Sequence, residues 1–293
     1  MPTSHLKMTE PVAEPVPPSL PVESFPRQPS VSKTLWPVPT LPVAPLGKKD
    51  VHLWTACLDE FTRLLREFKS VLSPQESARA SRFKYPRDRD RFVIAKGLLR
   101  FLFSLYRDVE PAQHEFTLGP QGKPESVAAQ GLERLHFNVS HSDSMVLYAI
   151  TRATAVGVDI ERIRHMDDLD NLAQQFFTAG EAATLRALPA EKRLVAFFNC
   201  WTRKEAFLKA TGQGIAGGMN TVEVTLAPDE SARLLNLGGD TNAARGWILD
   251  PLVPAAGYLA ALAYQGPRLK LGCWEVPVEI LRRPLGWQAR KVA

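Results

Sequence analysis

Beyond position 50, apolar residues recur along the chain with two distinct periods. Alternation of apolar and polar positions predicts strands over 51–55, 115–118, 135–139, 145–150 and 156–160. The same alternation predicts strands over 221–226, 246–249, 258–264 and 269–275. Two longer stretches, about 87–108 and 191–211, read as long helices. A shorter, capped helix precedes each. Ser73-Pro-Gln-Glu76 has the S-x-x-E form of a capping box with proline at the first helical position, and Thr178-Ala-Gly-Glu181 repeats the signature. Strand, capped short helix, polar break, long helix and further strands thus occur twice, the second copy about 105 positions after the first. Any α+β chain alternates elements, so chance is the plain alternative; shared order and spacing favour duplication. The expected fold class is α+β, two similar halves over 49–160 and 161–280 related by a pseudo-two-fold. Two packed halves leave a cleft, where ligands commonly bind.

The flanks differ from this body. Residues 1–48 hold half of the chain's 24 prolines, which remove backbone donors and fix φ, so a disordered or extended tail is expected. A passive tail is favoured over a proline-rich ligand for another domain. Residues 281–293 read as a basic, solvated end. A hydrophobic content of 45% over 293 residues supports a substantial core. No apolar run approaches the roughly 20 residues that span a bilayer, and no secretory signal is recognisable. Membrane binding is therefore not expected. The three cysteines, Cys57, Cys200 and Cys273, are too few and too scattered for a disulfide framework or a thiolate metal site, and the cytoplasm is the expected compartment. Net charge of +5 suits anionic partners, yet no zinc-finger spacing or RNP-type motif supports a nucleic-acid binder.

Candidate chemistry gathers at four places. In V-G-V-D-I-E at 156–161, Asp159 and Glu161 share a strand face roughly 7 Å apart. In W-T-R-K-E-A-F-L-K at 201–209, Glu205 and Lys209 lie one helical turn apart. Three converging carboxylates with lysines beside them would suit a magnesium or manganese ion carrying a phosphate ester. A solvated strand edge and a surface i,i+4 pair are the plain alternatives. F-N-V-S-H-S at 137–142 brings Ser140, His141 and Ser142 to a polar turn whose donors can hold phosphate oxygens, or which is an ordinary hairpin. No G-x-S-x-G accompanies that serine, which argues against a serine hydrolase. G-P-Q-G-K-P at 119–124 reads as a turn. A basic run, Arg79, Arg82, Lys84, Arg87, Arg89 and Arg91, should be largely solvated, with one or two members reaching the cleft.

In this order and spacing, G-K-P, F-N-V-S-H-S, G-V-D-I-E and W-T-R-K-E-A-F-L-K-A-T-G-Q-G resemble the 4′-phosphopantetheinyl transferases. Length and internal duplication resemble the monomeric type that activates surfactin-like peptide synthetases. The resemblance covers about 51–275 and implies a magnesium-dependent transfer from coenzyme A to a serine of an apo acyl or peptidyl carrier protein, with release of 3′,5′-ADP. It implies that Asp159, Glu161 and Glu205 bind the metal, with Glu205 also the base. Lys209 would contact the pyrophosphate and serve the leaving side, Ser140 would hold the pyrophosphate, and His141 and Arg91 the 3′-phosphate. Gly122, Lys123 and Pro124 match the loop near the adenine, and Lys204 is a further phosphate-side candidate. Family members often carry lysines in the first capped helix; here that helix offers Glu76 and Arg79, and Arg79 is the candidate. By analogy of fold, carrier contacts are expected near Phe176 and Phe177 and in the segment after Glu161. A catalytically silent coenzyme A- or carrier-binding module of the same fold is the alternative, which intact Asp159, Glu161, Glu205 and Lys209 disfavour.

Overall fold

The computed structural model describes residues 34–119, 122–127, 134–213 and 218–281. The chain opens with β1 (Asp50–Cys57), then α1 (Leu65–Ser70), α2 (Pro74–Ala80) and α3 (Pro86–Ser104). A short hairpin of β2 (Phe116–Leu118) and β3 (Pro124–Ser126) leads to β4 (His136–Ser142), β5 (Met145–Thr151) and β6 (Val156–Arg162). Helices α4 (Leu169–Phe176), α5 (Ala179–Ala187) and α6 (Ala190–Thr211) follow. The chain then forms β7 (Val222–Val224), β8 (Leu234–Leu237), β9 (Trp247–Leu252), β10 (Tyr258–Gln265) and β11 (Lys270–Glu275). The fold is α+β, and all nine expected strands are present within a few residues of their predicted bounds. Both capping boxes close: Ser73 and Thr178 each accept the N–H three residues on, and Glu76 and Glu181 return a carboxylate to the cap N–H.

Two sheets organise these elements. One has the order β11-β1-β5-β4 with β11 parallel to β1; the other is β6-β10-β9, antiparallel throughout. Alternate residues of β1 and β5 point to opposite faces. Trp54, Ala56, Val146, Tyr148 and Ile150 pack with α3, whereas Val51, Leu53, Met145, Leu147 and Ala149 face Val158, Ile160, Ala260 and Leu262 of the second sheet. The outer face of β10, with Ala261 and Ala263, packs under α6. The layers therefore run helices, sheet, sheet, helices. This explains why β5 is buried at every position.

Three expectations about the chain's organisation need correction. β6 pairs with β10, so the boundary expected after residue 160 moves to the turn before Val156. β11, expected within the second half, crosses to pair with β1. The tail expected over 1–48 is too long: Leu41, Val43 and Leu46 pack on the first core, and Trp36 on the layer between the sheets. There the Leu35 N–H donates to Pro254 O at 2.9 Å and the Glu275 N–H to Pro37 O at 3.0 Å. Proline bars a regular strand but not packing, and the apolar residues between these prolines supply it. Residues 1–33 and 282–293 lie outside the described residues.

Candidate active site

The centre of the site is built where α6 lies directly on β6. A Cβ at Gly157 would come within 2.0 Å of Ala206 O and 2.3 Å of Ala210 N, so only glycine permits this approach. Two residues along the same strand face, Asp159 meets Lys209 of α6, Nζ to Oδ1 at 2.6 Å. Ser140 of β4 donates to the same Oδ1 at 2.9 Å and accepts from Lys209 Nζ at 3.0 Å. Asp159 is only 3% exposed and Glu205 only 7%. The solvated-edge alternative therefore fails: the polar face of β6 is covered by α6 and approached by β4. Ser142 donates to Glu161 Oε2 at 2.7 Å, and Arg164 lies 3.8 Å from the same oxygen.

Three carboxylates around one lysine leave an excess of negative charge. Burial, and then the Asp159 charge, push Glu161 and Glu205 each up to about 7. Burial also raises Asp159, against the pull of Lys209. Burial opposes the Lys209 ammonium, but Asp159 and Glu205 outweigh it and hold Lys209 above the ordinary lysine range. Among the described residues, the buried Asp159 Oδ2 and Glu205 Oε1 have no hydrogen-bond partner. Orphaned carboxylate oxygens are costly and call for a ligand.

A cationic wall stands beside this acidic centre. His141 follows Ser140, so its side chain points to the opposite side of β4; it remains solvent-accessible. Desolvation by the groups packed around it, and then the positive charges of Lys209, Lys96, Arg79 and Arg91, press its imidazole below the usual histidine range. Lys96 is not among the sequence candidates. The Arg79 guanidinium and the Lys96 ammonium both pack on the Phe92 ring, 5.5 and 6.0 Å from its centroid. The i,i+4 spacing of Phe92 and Lys96 on α3 was the available signal. The Glu76 carboxylate bonds to the cap N–H and Arg100, and burial lowers Lys96 against the opposing charge of Glu76.

The remaining candidates lie elsewhere or are already engaged. Lys204 is wholly buried, paired with Glu181 and donating to Met219 O at 2.9 Å, so the phosphate-side role expected for it is withdrawn. Successive helical residues point about 100° apart, which turns Lys204 away from Glu205. Arg91 grips Asp59 through Nε and Nη2 at 2.8 and 2.7 Å and reaches Asp143 O at 2.8 Å through Nη1. It can take an anion only by giving up part of that network. Gly122, at φ 79°, turns the loop that carries Lys123 and Pro124. Lys123 Nζ reaches across to Val156 O at 2.9 Å and Ala210 O at 3.4 Å, and burial lowers it to about 8. Phe177 is core, while Phe176 is half-buried edge-on to Trp201 at 5.5 Å.

The acidic centre suits a hard cation. Its donors are carboxylate oxygens, two of them orphaned, and magnesium commonly completes its shell with water and phosphate oxygens. Among the described residues no three acidic, histidine or cysteine side chains are gathered as a finished ligand set, and Lys209 rests on Asp159 Oδ1. The chemistry fits the ion, with the shell left to be completed by the ligand it would share.

An acidic, oxygen-rich centre flanked by lysine, arginine and histidine defines a protein that handles a phosphorylated ligand. Residues 155–263 match the 4′-phosphopantetheinyl transferase superfamily, and residues 52–152 match a 4′-phosphopantetheinyl transferase N-terminal family. The chain is 39% identical over 232 residues to the 4′-phosphopantetheinyl transferase HetI of Nostoc sp., an alignment covering 78% of this chain and 93% of that protein. A 4′-phosphopantetheinyl transferase of Bacillus pumilus is 34% identical over 58% of this chain and 70% of its own length. For the transferase Sfp of Bacillus subtilis the figures are 28%, 55% and 70%. The chain belongs to the 4′-phosphopantetheinyl transferases.

Proposed function

We propose that this protein moves the 4′-phosphopantetheine group of coenzyme A onto a serine of an apo carrier protein, releasing 3′,5′-ADP. The observation that carries the site assignment is the pair of orphaned oxygens, Asp159 Oδ2 and Glu205 Oε1, beside Lys209. In the reaction the serine oxygen bonds to the β-phosphorus, the bond from that phosphorus to the bridging oxygen breaks, and the serine proton must be removed. Glu205 takes that proton, directly or through water, as the buried carboxylate on α6 beside Lys209. Lys209, held as an ammonium, neutralises or protonates the departing phosphate. Ser140 donates to the pyrophosphate side by turning its hydroxyl away from Asp159 Oδ1. His141, Arg79 and Lys96 hold the 3′-phosphate, with Arg91 joining them if it leaves Asp59. The loop of Gly122, Lys123 and Pro124 borders the adenine.

Asp159, Glu161 and Glu205 would hold magnesium, or manganese in its place. When bound, that ion supplies charge compensation at the pyrophosphate. Alignment and charge compensation are the main demands of displacement at phosphorus, and the site offers both. We propose a monomer as the active form. The three free cysteines suit a reducing, cytoplasmic setting. The test is incubation of the full chain with coenzyme A, magnesium and a panel of apo carrier proteins, followed by carrier mass measurement. A gain equal to one phosphopantetheine is expected on at least one carrier. No gain on any carrier by well-folded protein would sink the proposal.

A further inference from the structure

β4 and β6 face one another as edge strands of the two sheets, and side chains rather than a main-chain ladder join them. β4 pairs with β5 and β6 with β10. Toward β4, the N–H groups of Val158, Ile160 and Arg162 are taken by Asn138 Oδ1 at 2.8 Å, Ser140 Oγ at 3.4 Å and Ser142 Oγ at 3.1 Å. The register advances two residues on each strand per rung, matching the strand period. Each serine hydroxyl then has one proton left to give. Ser140 gives it to Asp159 and Ser142 to Glu161, in each case the carboxylate one residue before the N–H it accepts. At the first rung the equivalent position is Gly157, which has no side chain and no room for one.

We propose that Ser142 is a positioning residue for the transfer reaction, coupling the β6 backbone to the Glu161 carboxylate and holding it beside Asp159. This rests on the proposed role of Asp159, Glu161 and Glu205 as the cation-holding acids. Glutamate has three rotatable side-chain bonds, and Glu161 is partly open to solvent, where Arg164 draws on the same oxygen from 3.8 Å. The 2.7 Å bond from Ser142 is much the shorter of the two contacts to that oxygen. A hydroxyl that accepts a backbone N–H while donating to a carboxylate is fixed at both ends. It therefore transmits the strand's position to the acid, as partners of ligating groups commonly do.

The test uses the full chain with coenzyme A present and measures Mn²⁺ affinity by calorimetry, alongside the Mg²⁺ concentration giving half-maximal turnover and KM for coenzyme A. Ser142→Ala should weaken Mn²⁺ binding about tenfold and raise the half-saturating Mg²⁺ to match, with KM for coenzyme A within about twofold of wild type. Ser142→Thr keeps the hydroxyl and should restore both to within about twofold. Asn138→Ala removes a rung that touches no carboxylate, so it should lower the melting temperature without changing Mn²⁺ affinity. Should Ser142→Ala fail to fold, the near-isosteric Ser142→Cys, a weak donor, carries the same expectation. Unchanged Mn²⁺ affinity in the Ser142 variant, no restoration by threonine, or equal weakening by Asn138→Ala would overturn the positioning role. Glu161→Gln separates the two levels. If it leaves Mn²⁺ affinity unchanged, the assignment of Glu161 itself is wrong; if it weakens binding while Ser142→Ala does not, only the positioning role falls.

Discussion

The Asp159 carboxylate and the Lys209 ammonium meet at 2.6 Å across the junction of β6 and α6, one side chain from each element. The pair is incomplete by design of its surroundings. Lys209 satisfies Oδ1, while Asp159 Oδ2 and Glu205 Oε1 are buried without a partner among the described residues. One ammonium faces three carboxylates, and the excess negative charge suits a cation.

Removing either orphaned acid should cost function, and removing Glu205, which has no ion pair of its own among the described residues, should not cost stability. Asp159→Asn and Glu205→Gln are each expected to lower transfer by about 100-fold or more. Glu205→Gln also replaces a buried charge with a neutral amide, so its metal-free melting temperature should equal or exceed that of wild type. Carrier mass assays and thermal melts check both. Near-normal turnover in both variants would remove these residues from the mechanism.

The approach of α6 to β6 depends on the missing side chain at residue 157. Gly157→Ala would press a methyl group against Ala206 O and Ala210 N, main-chain atoms that cannot rotate aside. A destabilisation of about 3 kcal/mol is expected from overpacking, together with a displaced Lys209 and lost transfer. Urea denaturation reads the first and the carrier assay the second. A variant with wild-type stability would show that the helix can retreat freely.

Much of this was legible along the chain because local signals agreed with tertiary structure. The capping boxes at Ser73 and Thr178 and the alternation around Asp159 depend on neighbours in sequence, and the structure keeps all three. The burial of Asp159 was not legible, because the cover over the polar face of β6 comes from α6, some fifty residues away. Lys204 and Lys209 look equivalent in sequence, and only the helix's rotation sends one to Glu181 and the other to Asp159. The packed residues before Lys48 were obscured by proline, whose composition signal outweighed Trp36, Leu41, Val43 and Leu46.

Those residues before β1 give a further prediction. Leu46 is 7% exposed in the first core, so Leu46→Ala should cost about 2 kcal/mol or more. Deleting residues 1–48 removes Trp36, Leu41 and Val43 as well, and should lower the melting temperature by about 10 °C or more. A deletion variant that melts with the full chain would show that this segment is dispensable.

The acid limb of stability should report a histidine far from the chemistry. His52 is 4% exposed in β1, with Nδ1 3.0 Å from the Tyr106 hydroxyl and its ring edge-on to Trp274 at 4.8 Å. Burial lowers it to about 4, against the opposing charge of Asp50. A base whose folded pKa is depressed contributes stability that is complete above its unfolded value, near 6.5, and is lost as pH falls through its folded value. Between pH 6.5 and 4 the protein should lose about 2–3 kcal/mol from this one group. His52→Gln cannot titrate. It should start less stable at pH 7.5, because the ring contacts are gone, and fall less steeply in acid, so the two stability curves converge below pH 6. Urea midpoints across that range make the measurement, and a gap of constant size from pH 7.5 to 4.5 would show that His52 is not the source.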